Sequence, residues 1–129
     1  MGARFTELVI DCRDPNRVAE FWAAVLDYAV IDRGPKGEVE IGSSTSPKGA
    51  SGAPTLVFVP VPEDKAIKNR LHIDVNPTGT DQSNELRRLI RLGARRVDVG
   101  QSQDVSWIVL ADVEGNEFCL LRRRVEPRP

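Results

Sequence analysis

DVEGNEFCLL, residues 112–121, joins an acidic glycine turn to an apolar strand that carries Cys119 at its centre. Asp112 and Glu114 are placed to fold their carboxylates back onto local backbone N–H groups, and Gly115 and Asn116 tolerate the left-handed backbone of a tight turn. A strand must follow. On it Glu117, Cys119 and Leu121 share one face, while Asn116, Phe118 and Leu120 take the other. One soft-ligand side chain is therefore offered at mid-strand, and its use depends on what the rest of the chain brings to that face.

Working outward, the residues before this stretch repeat a plan already present at the start of the chain. Residues 5–12 alternate around Leu8 and Ile10 as a strand does, and Asp14 with Pro15 form an N-cap and first-turn pair for a helix over residues 15–27. Val18, Ala19, Phe21, Trp22, Val25 and Leu26 make its apolar stripe. Short strands are expected at 28–32 and 38–41, joined by the turn RGPKG, then a mobile Gly/Ser/Pro loop over 42–54 and a strong strand over 55–61. Pro60, Pro62 and the charged run EDKAIKN read as a linker.

The second half predicts a strand over 70–76, a helix over 81–92 with Leu86, Leu89 and Ile90 on one face, and Gly93 as its stop. Strands over 94–99, 106–111 and 116–122 complete it. A shift of about 65 residues superposes the two plans, with Leu26–Asp27 and Leu92–Gly93 ending the helices at matching places. The expectation is an α+β domain over residues 1–129 made of two tandem βαβββ modules, at about 1–62 and 70–124, with a linker at 63–69.

Composition fits this reading and excludes others. A chain of 129 residues suits one domain of ordinary size, and its formal charge of −1 lacks the basic excess of a nucleic-acid reader. Arg122, Arg123, Arg124 and Arg128 cluster near the C-terminus, as a solvated strand end often does. There is neither a bilayer-spanning apolar run nor a signal-peptide pattern, so no membrane association and a cytoplasmic location are expected. Cys12 and Cys119 lack metal-knuckle or CxxC spacing and are expected to be free thiols.

In the fifth strand Leu71, Ile73 and Val75 face one way, and Arg70, His72, Asp74 and Asn76 the other. In the first, Leu8, Ile10 and Cys12 oppose Phe5, Glu7, Val9 and Asp11. Glu7 and His72 lie the same half-chain shift apart, so a duplicated fold would make them mates, and Cys119 would join them in one cavity.

The ordered pieces RDPNRVAEFWAAVLDY, KNRLHIDV, RLGA and WIVLADVEGNEFC, spread over nearly the whole chain, resemble the vicinal oxygen chelate superfamily. Within it they look like the glyoxalase-like branch of the glyoxalase and bleomycin-resistance proteins. The resemblance implies paired βαβββ modules curled into a cup, a homodimer, and a small-molecule ligand. It also implies, in metal-dependent members, a divalent metal such as Zn, Ni or Mn held by one residue on the first strand and one on the last strand of each module. Glu7 and His72 fall at the first-strand slots and are the metal and catalytic candidates. Phe58 and Cys119 fall at the last-strand slots, where a carboxylate is usual, so the metal set departs from the family pattern.

Each of these residues also has a plainer reading. Arg70 and Asp74 flank His72 and can bind a ligand anion and fix the imidazole tautomer, or can form an ion-pair ladder along a strand. Cys119 can act as a nucleophile beside His72, or pack as a small hydrophobe. Trp107 can wall the cavity or cover a sheet edge, and Lys65 and Lys68 can guard its mouth or stay solvated. Two functions compete: a lyase- or isomerase-type enzyme acting on a small oxygenated molecule with an altered metal site, and a non-catalytic, ligand-sequestering dimer. A dimerisation module with a vestigial cup is a third.

Overall fold

Aspartate marks the start of both helices, and the residues around it settle where each one ends. A computed structural model describes residues 1–44 and 52–127, so the loop expected at 42–54 falls largely outside the described residues. The chain divides into two units, Met1–Asp64 and Lys65–Pro129, parting inside the expected linker.

The first unit runs β1 (Glu7–Cys12), α1 (Pro15–Leu26), β2 (Ala29–Arg33), β3 (Val39–Gly42) and β4 (Thr55–Pro60). The Asp14 carboxylate accepts the Arg17 N–H at 3.2 Å, Pro15 opens the first turn, and Asp27 closes the helix in the left-handed conformation at φ 55°. Val18, Ala19, Phe21 and Trp22 form the buried stripe of α1, which packs on β3 and β4. Burying an apolar side chain of that size contributes roughly 2–3 kcal/mol. The strand order is β1-β4-β3-β2, with β1 and β4 parallel and the other pairs antiparallel. Between β2 and β3 the RGPKG turn is held by the Gly34 N–H on the Glu38 carbonyl at 2.9 Å.

The second unit repeats the order with β5 (Ile73–Val75), α2 (Gln82–Leu92), β6 (Arg95–Arg96), β7 (Ile108–Ala111) and β8 (Glu117–Leu120). Its sheet runs β5-β8-β7-β6, again with one parallel pair, β5 with β8. The two units are therefore tandem βαβββ modules of an α+β chain. Asp81 caps α2 by accepting the Asn84 N–H at 2.9 Å, and Gly93 ends it at φ 121°. Gln82 reaches from the first turn of α2 to the carbonyls of Ser106 and Leu120 at 2.8 and 3.2 Å, which ties that turn to the end of β8.

Two strands are shorter than their sequence suggested. β5 begins at Ile73 because Leu71, expected to face the core, is 81% exposed in the bend that precedes it. β6 stops at Arg96 because residues 98–101 bond to themselves: the Gly100 N–H meets Asp98 Oδ1 at 2.7 Å, and the Val99 N–H meets Gln101 Oε1 at 2.8 Å. Ile90, placed on the apolar face of α2 by its spacing, is 42% exposed, whereas Leu89 is fully buried.

Candidate ligand and metal site in the second module

The turn at residues 112–116 builds the site's last strand. Asp112 is buried, and its Oδ1 accepts the N–H groups of Glu114 and Asn116, both at 2.9 Å, while the Asn116 side chain meets Oδ2 at 3.0 Å. Gly115 takes the left-handed conformation at φ 91°, and Asn116 does not. Chain direction leaves this turn fixed, so alternation along β8 puts Glu117 and Cys119 on one face and Phe118 and Leu120 on the other.

Register then brings the partners in. Asp74 lies opposite Cys119 across the parallel β5–β8 pair, and Val109 lies opposite it on the antiparallel side. His72, two residues before Asp74, presents Nε2 to Asp74 Oδ1 at 3.2 Å. The ligand atoms of His72, Asp74 and Cys119 all lie within 4.8 Å of one another. His72 and Asp74 are exposed and Cys119 is buried, so the cluster is a thiol floor with two polar groups above it. Burial, the Asp74 charge and a hydrogen bond to Asp74 push the Cys119 thiol up, against an opposing pull from Lys68. In the absence of a cation Cys119 is a thiol and a hydrogen-bond donor, not a nucleophilic thiolate.

A cavity of about 470 Å³ opens over this cluster. Its apolar walls are Val99, Trp107, Val109 and Leu121, and Lys68, Gln101 and Glu117 add polar lining. Glu117 is engaged from outside the sheet: Lys65 Nζ sits 2.6 Å from Oε2 and the Asn69 N–H donates to Oε1 at 2.8 Å. Burial pushes the Glu117 carboxyl up, but these donors outweigh it and hold the group below its usual range. The result is a strap of residues 65–69 pinned to β8, reinforced by the Asn69 side chain on Asn116 at 3.0 Å.

Of the residues singled out from sequence, His72, Asp74, Trp107 and Cys119 line this cavity, and Arg70, Phe58 and Glu7 do not. Arg70 sits exposed in the bend ahead of β5. Phe58 has no exposed surface and is core. Parallel register sets Ile10 opposite Phe58 as it sets Ile73 opposite Phe118, so Phe58 faces as Phe118 does. Val57 and Val59 are the β4 residues whose facing matches Cys119, and both lack a donor atom. Glu7 lies on β1, and the clustered donors all come from the second module.

Sequence reasoning gave Asp74 an orienting role and missed it as a third donor, although its spacing of two from His72 on a strand was the signal. It also passed over Glu40, buried on β3 with Oε2 accepting from the Thr55 hydroxyl at 2.6 Å. A charged residue in a short strand gives no sequence cue to such burial.

The donor set suits a divalent cation. Metal contacts of about 2.0–2.3 Å place the ligand atoms of one tetrahedral centre roughly 3.3–3.7 Å apart, so the cluster needs about an ångström of side-chain adjustment to close. Imidazole, carboxylate and thiol leave a fourth position for a ligand. The match to the glyoxalase-like domain extends over residues 7–121.

The chain belongs to the glyoxalase-like domain family. This glyoxalase-like chain is similar in fold to the fosfomycin resistance protein FosX from Listeria monocytogenes, at a TM-score of 0.70 and 12% identity, covering 97% of this chain and 94% of that one. A variant of that protein was solved with Mn(II) and 1S,2S-dihydroxypropylphosphonic acid; it aligns at a TM-score of 0.67 and 12% identity over 94% of this chain and 90% of that one. A glyoxalase/bleomycin resistance protein/dioxygenase family enzyme from Burkholderia phytofirmans aligns at 0.63 and 20% identity, over 92% of this chain and 97% of its own. Identities this low establish the fold alone. Among curated protein sequences, none matches significantly. No helix among the described residues is long and apolar enough to cross a membrane.

Proposed function

We propose that this glyoxalase-like protein binds a small oxygenated molecule in the second-module cavity, against a divalent cation held by His72, Asp74 and Cys119, and works as a lyase- or isomerase-type enzyme. The observation that carries the reading is the convergence of three unlike donors at the floor of a cavity of about 470 Å³, a size within the usual range for small ligands. A cation there supplies electrophilic polarisation of a ligand oxygen. The thiol among the donors favours zinc over nickel, and both over manganese, because soft sulfur suits the later metals.

The remaining work falls to the chain's own side chains. Asp74 holds the His72 imidazole in orientation through Nε2, and Trp107 and Val109 give the cavity apolar walls beside the donors. Glu117, held ionised by Lys65 and the Asn69 N–H, anchors the strap and is a weak proton acceptor. His72 serves as a ligand of the cation, or as the acid–base candidate of the cavity when no cation is bound, and Glu7 takes no part in this reading. A homodimer belongs to it, supported by the uncovered apolar side chains Phe5 and Val9, 65% and 52% exposed. Sedimentation that finds only monomer at micromolar protein would remove the dimer.

A second reading, ligand sequestration without catalysis, is favoured by Asp74, which accepts from the Cys119 thiol and lies 3.2 Å from His72 Nε2, closing the cluster without an ion. Metal analysis of protein purified without an affinity tag separates the two. Stoichiometric zinc, nickel or manganese that disappears in His72→Ala supports the enzyme, and turnover of methylglyoxal hemithioacetal then tests the reaction class. Metal-free protein that binds none of the three on titration sinks it.

A further inference from the structure

We infer that the molecule taken by this cavity is an oxyanion with an apolar flank, a small carboxylate or phosphate-type compound, and that Lys68 selects it; this rests on the second-module cavity being the ligand site. The inference comes from following each charged group in the lining to its partner. Glu117 is matched by Lys65 at 2.6 Å, and Asp74 is engaged by the His72 imidazole, whose Nε2 lies 3.2 Å from Oδ1. Gln101 is turned to its own loop, accepting from the Val99 N–H and donating to the Val97 carbonyl at 3.3 Å.

Lys68 stands apart. Its ammonium donates to the Asn69 carbonyl at 3.2 Å, and among the described residues no carboxylate lies within ion-pair distance of it. Its charge nonetheless reaches the cavity floor, where it acts on the Cys119 thiol. A cation bound through the Asp74 carboxylate and a Cys119 thiolate would be neutralised by them, so Lys68 is the charge of the lining left uncompensated when the cluster is loaded. The same lining has apolar walls, with Trp107 still 41% exposed and available for stacking. An anionic head on Lys68 and an apolar body on Trp107, Val109 and Leu121 use every unmatched feature of the lining.

The strap sets where the ammonium sits. Residues 65–69 are fixed to β8 by Lys65 and Asn69, so Lys68 extends from a tethered segment and pays less ordering entropy than a free linker lysine. That tether is what distinguishes it from the exposed Lys36.

The test uses the full chain and three probes of one shape: phenylacetate, phenyl phosphate and the neutral phenylacetamide. Binding is followed by the Trp107 indole N–H signal, assigned with Trp107→Phe, since the chain has two tryptophans. At least one anion should bind about ten-fold more tightly than the amide, with Lys68→Met erasing the difference and Lys68→Arg keeping most of it. The tighter of the two anions identifies the head group. Equal binding of anions and amide, or an anion preference that survives Lys68→Met, overturns the inference while leaving the cavity as the ligand site. Failure of all three probes to move the Trp107 signal overturns both.

Discussion

Burial first, and then a single carboxylate, Asp74, set how Cys119 behaves. Burial raises the thiol, and the adjacent negative charge raises it further by disfavouring a second anion beside it. In chelator-treated protein Asp74→Asn should therefore speed alkylation of Cys119 at pH 8, read by peptide mass spectrometry against Cys12; an unchanged rate would mean that burial alone controls the thiol. Glu117 behaves in the opposite sense. Its folded carboxyl lies below the usual value of 4.5, so the stability it contributes is present above that pH and is lost as pH falls through the lowered folded value. Lys65→Met should destabilise the chain by about 1 kcal/mol near neutrality, and the gap from wild type should narrow below pH 4.5. Urea unfolding at a series of pH values measures it, and a gap that widens in acid would falsify the account. The Lys65–Glu117 pairing could not be read from the sequence, because the two residues are 52 apart and only the fold brings them to 2.6 Å.

At the scale of the element, the ends of helices were legible and the ends of strands were not. Asp14, Pro15 and Asp81 state where helices start because a cap is a local hydrogen bond, made within three residues of its own position. Strand length is set by a neighbour that the sequence does not name, which is why β5 and β6 are three and two residues long where longer runs were expected. The alternation that put His72 and Asp74 on one face of their strand needs only the period of two, and both line the cavity with Cys119. Gly93 shows how strictly a boundary can be held. At φ 121° a side chain is strained, and a Cβ there would meet Val113 Cγ1 at 2.9 Å. Gly93→Ala should cost about 1–3 kcal/mol in chemical denaturation, and a cost under half a kcal/mol would show that α2 can end otherwise. The turn before β8 is as demanding: Asp112→Ala removes a buried acceptor of two backbone N–H groups and one side-chain amide, and should cost about 3 kcal/mol.

At the scale of the whole chain, duplication copied the frame without copying the chemistry. Both modules order their strands alike and both bury a phenylalanine at 0% exposure opposite an isoleucine in the parallel pair. The donors did not follow. His72 is the one histidine in the sequence, and the other cysteine, Cys12, is buried at the end of β1 on the face of Ile10, with its Sγ near the Val59 carbonyl at 3.7 Å. On β4, the positions facing as Cys119 does are Val57 and Val59, which cannot ligate. A chain built from two equal halves should therefore bind one cation, not two. Titration with zinc under competition from a chromophoric chelator should end at one equivalent per chain, with Cys119→Ala and Asp74→Ala each weakening it by at least about ten-fold, in line with the loss of a ligand. Cys12→Ser and Glu7→Gln should leave both stoichiometry and affinity unchanged. Two equivalents, or a loss of binding in Glu7→Gln, would mean that the first module contributes donors and that the asymmetry between the halves is not the basis of the site.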